Sequence, residues 1–173
     1  MKKYLVIGNP INHSLSPELH NHWIKQNRLD AIYEKKKLNS NDLEELILNV
    51  KKGNINGANV TVPFKNAIIP YLDELSNEAK KTRSVNTVYL KDKKVIGHNT
   101  DIEGFEKAIK NIDFNLKNKK IFILGAGGVV PSIIYALIKM GSSEIMISNR
   151  TEKKADEVKN IFNNIKIVRW GEI

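Results

Sequence analysis

The fold is organised around the stretch Asn59-Val60-Thr61-Val62-Pro63-Phe64-Lys65. Its two valines alternate with an asparagine and a threonine, which predicts a strand with the valines buried on one face and the polar side chains on the other. Its proline has no N–H for a ladder, so the strand is expected to end there, with Lys65 on a loop or first helical turn. An amide, a hydroxyl and an ammonium group then meet at one strand end, where they suit a small, oxygen-rich anion. The alternative is an ordinary strand with a solvated polar face.

Composition indicates a globular protein that does not act at a membrane. Of 173 residues, 41% are hydrophobic and 27% are charged. No apolar run reaches the roughly 20 residues that span a bilayer. Because there is no cysteine, a disulfide framework, a thiol nucleophile and a Cys-ligated zinc site are excluded. We therefore expect a cytoplasmic protein without a metal.

The net charge of +9 favours an acidic small-molecule partner over a nucleic acid. Only four of the 28 basic residues are arginine, and the lysines are spread along the chain with asparagines between them. A nucleic-acid surface would instead gather arginine and aromatic residues on one face.

A second polar group follows the first predicted strand, Tyr4-Leu5-Val6-Ile7. Ser16 precedes Pro17 and Glu18, which predicts a helix start with Ser16 as its N-cap. Ser14 and Ser16 bracket this helix N-terminus, where N–H groups favour an anion such as a carboxylate. The alternative is that Ser16 only caps the helix and Ser14 only turns the chain.

Hydrophobic periodicity predicts the neighbouring elements. The first helix is expected to turn three apolar side chains inward: Leu19, Trp23 and Ile24. A second helix, opened by a capping box Asn41-x-x-Glu44, is expected to bury Leu43, Leu46, Ile47 and Val50. Residues 68–81 are predicted to be mainly helical, and strands are expected at 84–90 and 95–98.

Two further polar residues lie near these strands. Asn86 faces the opposite side from Val85 on the strand 84–90. Thr100 or Asp101 starts the next helix, so the Asp101 carboxylate is expected near a helix N-terminus. A plain capping role is the alternative for Asp101.

The last third of the chain predicts a dinucleotide-binding unit. The strand at residues 120–124 shows no polar alternation, as if buried on both faces. It leads into Gly125-Ala126-Gly127-Gly128-Val129, then a helix, a strand at 144–148 and the turn Asn149-Arg150-Thr151. A strand, glycine-rich turn, helix and strand within about thirty residues bind a pyrophosphate on backbone N–H groups.

Residue types after the second strand of this unit favour NADP over NAD. An NAD site places an acid there for the ribose hydroxyl, whereas this chain has Arg150, with Lys153 and Lys154 just beyond. Arg150 can bind a 2′-phosphate with two N–H groups. The pair Tyr135 and Lys139 imitates that of short-chain dehydrogenases, but its apolar neighbours indicate helix surface and core rather than catalysis.

Together these motifs closely resemble shikimate dehydrogenase. The resemblance covers essentially the whole chain and rests on six motifs in the family's order: His13-Ser14-Leu15-Ser16-Pro17, Asn59 to Lys65, Val85-Asn86-Thr87, Asn99-Thr100-Asp101, Gly125-Ala126-Gly127-Gly128 and Asn149-Arg150-Thr151. It implies an α/β protein with an N-terminal three-layer α/β substrate domain (residues 1–112) and an incomplete Rossmann-type NADP domain (residues 113–173).

The resemblance also implies roles for individual residues. Ser14 and Ser16 would bind the substrate carboxylate, and the ring hydroxyls would be surrounded by Asn59, Thr61, Asn86 and Asp101. Lys65 and Asp101 would be the catalytic pair, with Lys65 exchanging the hydroxyl proton and Asp101 orienting it. Cofactor contacts would come from Gly125, Ala126, Gly127, Gly128, Val129, Asn149, Arg150, Thr151 and Lys154. The expected partners are shikimate or 3-dehydroshikimate and a second copy of the chain in a homodimer.

Three features depart from the family pattern. Arg83-Ser84 replaces a small Gly-Ala pair, and Val129-Val130 replaces small residues after the glycines. Related chains continue beyond the three strands of the nucleotide domain reached here. We therefore expect the 173-residue chain to bind shikimate weakly and to turn it over poorly or not at all.

Four other functions stay open at this point. A quinate or dual-specificity dehydrogenase would carry the same motifs. A non-catalytic ligand-binding relative would be expected to lose the lysine or the aspartate, both of which are present. A methylene-folate dehydrogenase would lack the Ser-x-Ser-Pro motif. A nucleic-acid module would bind with steep salt dependence.

Overall fold

The computed structural model describes residues 1–172, which divide into two compact units. The first comprises residues 1–79 and 85–99, and the second comprises residues 80–84 and the chain from residue 100 onward. Within residues 1–172, no helix is both long enough and apolar enough to cross a membrane. The predicted domain limit between residues 112 and 113 stays a prediction.

The first unit is built on a six-stranded mixed sheet in the order β2-β1-β3-β5-β6-β4. Its strands are β1 (Lys2–Gly8), β2 (Ala31–Lys37), β3 (Gly57–Val60), β4 (Glu74–Leu75), β5 (Thr87–Lys91) and β6 (Lys94–His98). Its helices are α1 (Ser16–Gln26), α2 (Leu43–Lys51) and α3 (Phe64–Ala67), and α4 (Asn77–Thr82) begins in this unit. β1 pairs in parallel with β2 and β3, whereas β5 runs antiparallel to β3 and β6.

Alternating residues of β1 divide the core between the two faces of this sheet. Leu5 and Ile7 pack with α2, whose predicted inward residues Leu43, Leu46, Ile47 and Val50 are all buried. Val6 packs on the other face, with Tyr33 of β2 and Ile24 of α1. Helices therefore cover both faces, and the predicted three-layer α/β architecture is confirmed.

α1 covers its face less fully than predicted. Ile24 packs inward, but the side chains of Leu19 and Trp23 are 49% and 47% exposed. The inward positions are instead taken by polar residues that bond to or stack on β2, namely Asn21 and His20. The prediction for Leu19 and Trp23 was therefore wrong.

The organising stretch leaves the sheet earlier than predicted. β3 ends at Val60, which is buried, whereas Val62 is 55% exposed rather than buried. After Val60 the chain turns, because the N–H of Phe64 donates to the carbonyl of Thr61 at 2.9 Å. The turn points Val62 away from the core and brings Lys65 onto α3.

Hydrogen bonds to nearby carboxylates change two local predictions. The capping box before α2 is Asn39 with Asp42, whose carboxylate accepts the Asn39 N–H at 2.7 Å, and not Asn41-x-x-Glu44. Residues 68–81 are mainly helical, as predicted, but β4 separates a 3-10 helix at Ile69–Tyr71 from α4. The carboxylate of Asp73 accepts the N–H of Val95 at 2.8 Å, which holds this segment beside β6.

The second unit contains a parallel sheet in the order β7-β8-β9. Its strands are β7 (Lys120–Leu124), β8 (Glu144–Ser148) and β9 (Lys166–Ile167), and its helices are α5 (Asp101–Asn111), α6 (Val130–Lys139) and α7 (Glu152–Lys159). The predicted strand, glycine-rich turn, helix and strand are confirmed as β7, residues 125–129, α6 and β8.

β7 is covered on one face only, so the prediction of burial on both faces was wrong. Ile121 and Ile123 pack against the core of the unit, whereas Phe122 and Leu124 are 36% and 66% exposed. Both crossover connections run in the same direction along the sheet, which places α6 and α7 on the same face. Residues from both helices accordingly share one hydrophobic cluster.

Candidate functional site

Ser14 and Ser16 lie in the turn that leads from β1 into α1. The hydroxyl of Ser14 accepts a hydrogen bond from the Ser16 N–H at 3.3 Å. Ser16 is the first helical residue, and the position before it is Leu15, without a side-chain cap. The predicted cap by Ser16 is therefore wrong, because Ser16 lies inside the helix and no side-chain oxygen caps the first turn. Since Ser14 uses an oxygen lone pair here, its O–H hydrogen can still serve an anionic acceptor.

The side-chain amide of Asn59, near the end of β3, forms hydrogen bonds through both its oxygen and its nitrogen. Its Oδ1 accepts the Tyr33 hydroxyl at 2.6 Å, and its Nδ2 donates to the carbonyl of Asn86 at 3.2 Å and to Oγ1 of Thr87 at 3.3 Å. The Thr87 hydroxyl donates in turn to Oδ1 of Asn86 at 2.9 Å. Two predicted site residues, Asn59 and Asn86, therefore belong to one hydrogen-bonded group.

Thr61 is fixed against the end of β1. Its N–H donates to the carbonyl of Ile7 at 2.9 Å, and its methyl group lies over Gly8. A Cβ atom added to Gly8 would stand only 2.7 Å from Cγ2 of Thr61 and 3.1 Å from the carbonyl oxygen of Val62. The close approach of the two loops therefore requires glycine at position 8.

Lys65 is the second residue of α3, and its side chain is partly buried. Its carbonyl accepts the Val85 N–H at 2.8 Å, and the next residue, Asn86, donates its N–H to the carbonyl of His98 at 3.0 Å. The backbone therefore ties Lys65 to the segment that carries Asn86. Ser14 and Ser16 have no hydrogen bond to this group within residues 1–172.

Asp101 lies in the second unit, as the first residue of α5. Its carboxylate belongs to the first helical turn, as predicted, and Gly104 closes that turn by donating its N–H to the carbonyl of Thr100 at 3.0 Å. The pairing of Asp101 with Lys65 stays a prediction.

The glycine-rich turn of the second unit is braced by Asn149. Oδ1 of Asn149 accepts the Ala126 N–H at 3.0 Å, and its Nδ2 donates to the carbonyl of Thr151 at 2.7 Å. Gly125 has a φ of +108°, which suits glycine, and a Cβ on Gly127 would meet nothing within 4 Å. The space beside Gly127, together with the start of α6, fits a phosphate group approaching the backbone.

The two valines at the start of α6 differ in their surroundings. Val130 is buried in the core of the unit, and its N–H donates to the carbonyl of Gly127 at 3.0 Å. Val129 is 41% exposed. Pro131 occupies the first turn of the helix, where the missing N–H costs nothing.

Basic residues after β8 are exposed to solvent. Arg150 lies between Asn149 and Thr151, and Lys154 follows in the first turn of α7. In the described part of the chain, neither side chain takes part in an ion pair. Both are therefore available to a phosphate.

The pair Tyr135 and Lys139 has structural partners. The ammonium group of Lys139 forms an ion pair with Glu106 of α5 at 2.6 Å, and Tyr135 packs against the core of the unit. These contacts support the interpretation of helix surface and core. No group of three or more His, Asp or Glu side chains in residues 1–172 is arranged to hold a metal ion.

Sequence reasoning did not identify the roles of Tyr33, Thr87 and Gly8. The contact between Tyr33 and Asn59 depends on β1 lying between β2 and β3, which local sequence does not reveal. Thr87 was noted only as part of a motif. Gly8 was not singled out, although a glycine followed by Asn-Pro signals a turn.

Two family models match the chain. The model for the shikimate dehydrogenase substrate binding domain matches residues 6–88. The model for shikimate / quinate 5-dehydrogenase matches residues 106–172. Together they include most of the candidate site residues in both units.

Individual relatives agree with these matches. A Pelagibacter ubique protein named shikimate dehydrogenase (NADP(+)) is 57% identical over 171 residues, which is 99% of this chain and 64% of the relative. The shikimate dehydrogenase of Aquifex aeolicus superposes with a TM-score of 0.88 at 40% identity, over 97% of this chain and 62% of that one. A Thermus thermophilus shikimate 5-dehydrogenase, solved with NADP(H) and shikimate, gives a TM-score of 0.85 at 33% identity, over 97% and 63% of the two chains.

The chain thus spans less than two thirds of the length of these relatives. The matches nevertheless cover both units, at identities well above those expected for a shared fold alone. The chain belongs to the shikimate dehydrogenase family.

Proposed function

We propose that this chain supplies the substrate-binding and part of the cofactor-binding machinery of an NADP-dependent shikimate dehydrogenase. Such an enzyme reversibly reduces 3-dehydroshikimate to shikimate, a step towards chorismate and the aromatic amino acids. The observation that carries the proposal is the hydrogen-bonded group of Asn59, Asn86 and Thr87, which presents ordered amide groups to a polyhydroxylated ligand.

The substrate would be held by hydrogen bonds from the first unit. Ser14 and Ser16 suit its carboxylate because two hydroxyl donors lie at the N-terminal end of α1. Asn59, Thr61 and Asn86 suit its ring hydroxyls. A rigid arrangement of this kind lowers the entropic cost of placing the reacting carbon.

Proton transfer is assigned to Lys65, assisted by Asp101. During oxidation Lys65 takes the proton of the reacting hydroxyl, and during reduction it returns that proton. By the family resemblance, Asp101 would be the second member of the catalytic pair and would orient Lys65. Bound NADP⁺ would supply the acceptor for the hydride that leaves the substrate carbon.

The cofactor would be held by the second unit. The turn Gly125 to Val129 would receive the pyrophosphate on backbone N–H groups, and Asn149 holds that turn in place. Arg150, Thr151 and Lys154 would receive the 2′-phosphate, which favours NADP over NAD. The complex of the Thermus thermophilus relative with NADP(H) and shikimate supports both assignments.

Quinate is the second candidate substrate, because the family model that matches residues 106–172 is described as shikimate / quinate 5-dehydrogenase. Quinate carries the same carboxylate and one more hydroxyl, so the same groups in the first unit can bind it. A cytoplasmic location, the absence of a nucleic-acid partner and a homodimer stay predictions from the sequence and the resemblance.

Calorimetric titration of the 173-residue chain tests the substrate assignment. We expect shikimate to bind, and we expect both its methyl ester and the Ser14→Ala/Ser16→Ala variant to show much weaker binding because the carboxylate loses its donors. Tighter binding of quinate than of shikimate would favour the second candidate. No binding of either acid would contradict the proposal.

A further inference from the structure

Tyr33 is a buried residue of β2 whose hydroxyl points to the proposed substrate site. Its side chain is only 5% exposed, and the hydroxyl donates to Oδ1 of Asn59 at 2.6 Å. Burial raises the pKa of Tyr33 to about 12, so the phenol remains a proton donor throughout the physiological range.

Residues of α1 hold Tyr33 in place. The side chain of Asn21 accepts the Tyr33 N–H at 2.9 Å and donates to the Tyr33 carbonyl at 2.8 Å. The ring of His20 stacks on the tyrosine ring, with centroids 4.2 Å apart and planes 5° from parallel. The position of the phenol oxygen is therefore set by backbone bonds and by stacking.

The orientation of the Asn59 amide follows from what its neighbours can accept. The backbone carbonyl of Asn86 can only accept a hydrogen bond, so the amide nitrogen of Asn59 must face it. The amide oxygen then faces Tyr33. Both hydrogens of the Asn59 amide and one oxygen lone pair are used by protein groups.

Thr87 transmits this orientation to Asn86. Its oxygen accepts a hydrogen from Asn59 at 3.3 Å, and its hydroxyl donates to Oδ1 of Asn86 at 2.9 Å. The Asn86 amide therefore turns its oxygen to Thr87 and its nitrogen to the opposite side. Hydrogen-bond donation runs in one direction, from Tyr33 to Asn59 to Thr87 to Asn86.

We infer that Tyr33 and Thr87 are positioning residues that fix the donor and acceptor pattern of the substrate site. Asn59 keeps one acceptor lone pair outside these bonds, and the nitrogen of Asn86 is turned away from Thr87. A ring hydroxyl beside Asn59 must then donate its hydrogen. The inference rests on the proposed function for the identity of the ligand but not for the orientation of the two amides.

Conservative variants of the 173-residue chain test the orientation itself. Tyr33→Phe removes one hydroxyl, and Tyr4→Phe is the matched control, because Tyr4 packs in the same cluster without a side-chain hydrogen bond to residues 1–172. Thr87→Val removes the second hydroxyl, and Thr87→Ser retains it. The readout is the side-chain amide ¹H–¹⁵N signals of Asn59 and Asn86, assigned with Asn59→Ala and Asn86→Ala.

We expect Tyr33→Phe to shift the Asn59 amide signals and to speed their hydrogen exchange. Thr87→Val should do the same for both amides, whereas Tyr4→Phe and Thr87→Ser should leave them close to those of the parent chain. Unchanged amide signals in both Tyr33→Phe and Thr87→Val would overturn the inference, and so would equal changes in Tyr4→Phe.

A second readout is the affinity for shikimate and for analogues that each lack one ring hydroxyl. Tyr33→Phe should lower the affinity for shikimate by about threefold to tenfold, as expected for one hydrogen bond. It should not change the affinity for the analogue that lacks the hydroxyl facing Asn59. Equal weakening of all ligands would overturn the positioning role. If the parent chain binds no ligand, the proposed function fails, while the amide signals still decide this inference.

Discussion

Oδ1 of Asn149 accepts a hydrogen bond from the backbone N–H of Ala126 at 3.0 Å. This bond joins the end of β8 to the glycine-rich turn that follows β7, two segments 23 residues apart in the chain. The side-chain nitrogen of Asn149 extends the link to Thr151 at the start of α7. The hydrogen bonds of one side chain therefore join the two segments that are proposed to hold the pyrophosphate and the 2′-phosphate.

Asn149→Ala should weaken NADP binding by about threefold to tenfold, because the turn loses the hydrogen bond that holds it. Asn160→Ala is the control, since Asn160 is exposed at the end of α7. Fluorescence titration with NADPH measures both variants. Equal affinities of Asn149→Ala and the parent chain would show that the turn does not need this brace.

Arg150→Ala should weaken the binding of NADP far more than the binding of NAD. The expected loss of binding free energy for NADP is about 1.5–3 kcal/mol, because charge-assisted hydrogen bonds are lost. The measurement is a pair of titrations with the two cofactors. Arg169→Ala is the control, because it removes the same charge from another exposed arginine of the second unit. Equal losses for NADP and NAD would remove Arg150 from recognition of the 2′-phosphate.

Gly8→Ala should destabilise the first unit by about 1–3 kcal/mol and weaken shikimate binding. The added methyl group would meet Thr61 at 2.7 Å and the Val62 carbonyl at 3.1 Å, and Thr61 must then move. In contrast, Gly104→Ala adds a methyl group with nothing within 4 Å and should stabilise α5 by about 0.5–1 kcal/mol.

Urea unfolding of the two glycine variants, followed by titration with shikimate, measures these effects. If Gly8→Ala retained the stability and the affinity of the parent chain, the two loops would be able to separate without cost. The proposed fixed position of Thr61 would then be contradicted.

His20 should make stability depend on pH. Burial lowers the pKa of His20 from its usual 6.5, so the folded state disfavours the proton that the unfolded state accepts. The stabilising contribution of neutral His20 to the free energy of unfolding is therefore complete above pH 6.5. It declines as the pH falls towards the lowered pKa. His20→Phe retains an aromatic ring beside Tyr33 but cannot titrate.

Urea unfolding at pH 5.5 and 7.5 measures this effect, with His22→Phe as control, because His22 is exposed on the same helix. We expect the difference in stability between the two pH values to shrink in His20→Phe and to persist in His22→Phe. An unchanged difference in His20→Phe would show that His20 does not couple protonation to folding.

The sequence predicted well those features that depend on short stretches of chain. The inward residues of α2 follow from a spacing of three and four residues. The glycine-rich turn and the position of Asp101 at a helix start follow from local conformational preferences. The residue patterns indicated anion-binding positions at Ser14 and Ser16 and at Asn59 to Lys65, and the family resemblance added their roles with the substrate. Both assignments stay predictions.

Other features depended on contacts between distant segments and were not predicted. Val62 is exposed because the loop after Val60 bonds to residues of the loop after β1. The exposure of Phe122 and Leu124 depends on both crossover helices lying on one face of the sheet. The orientation of the Asn59 amide depends on Tyr33, a residue 26 positions away on another strand.

Turnover of shikimate with NADP⁺ tests the central claim most directly. The chain can be joined to the C-terminal part of the Pelagibacter ubique relative, which is 57% identical to it. The Pelagibacter protein itself serves as the positive control. Lys65→Ala in the fusion tests the catalytic assignment, and Lys52→Ala, at an exposed lysine after α2, is the matched control.

The measurement is the initial rate of NADPH formation by the fusion. We expect the fusion and its Lys52→Ala variant to form NADPH from shikimate, and Lys65→Ala to bind shikimate but to lose turnover. A fusion that folds and binds NADP⁺ but forms no NADPH, or a Lys65→Ala variant with the kcat of the parent fusion, would contradict the account.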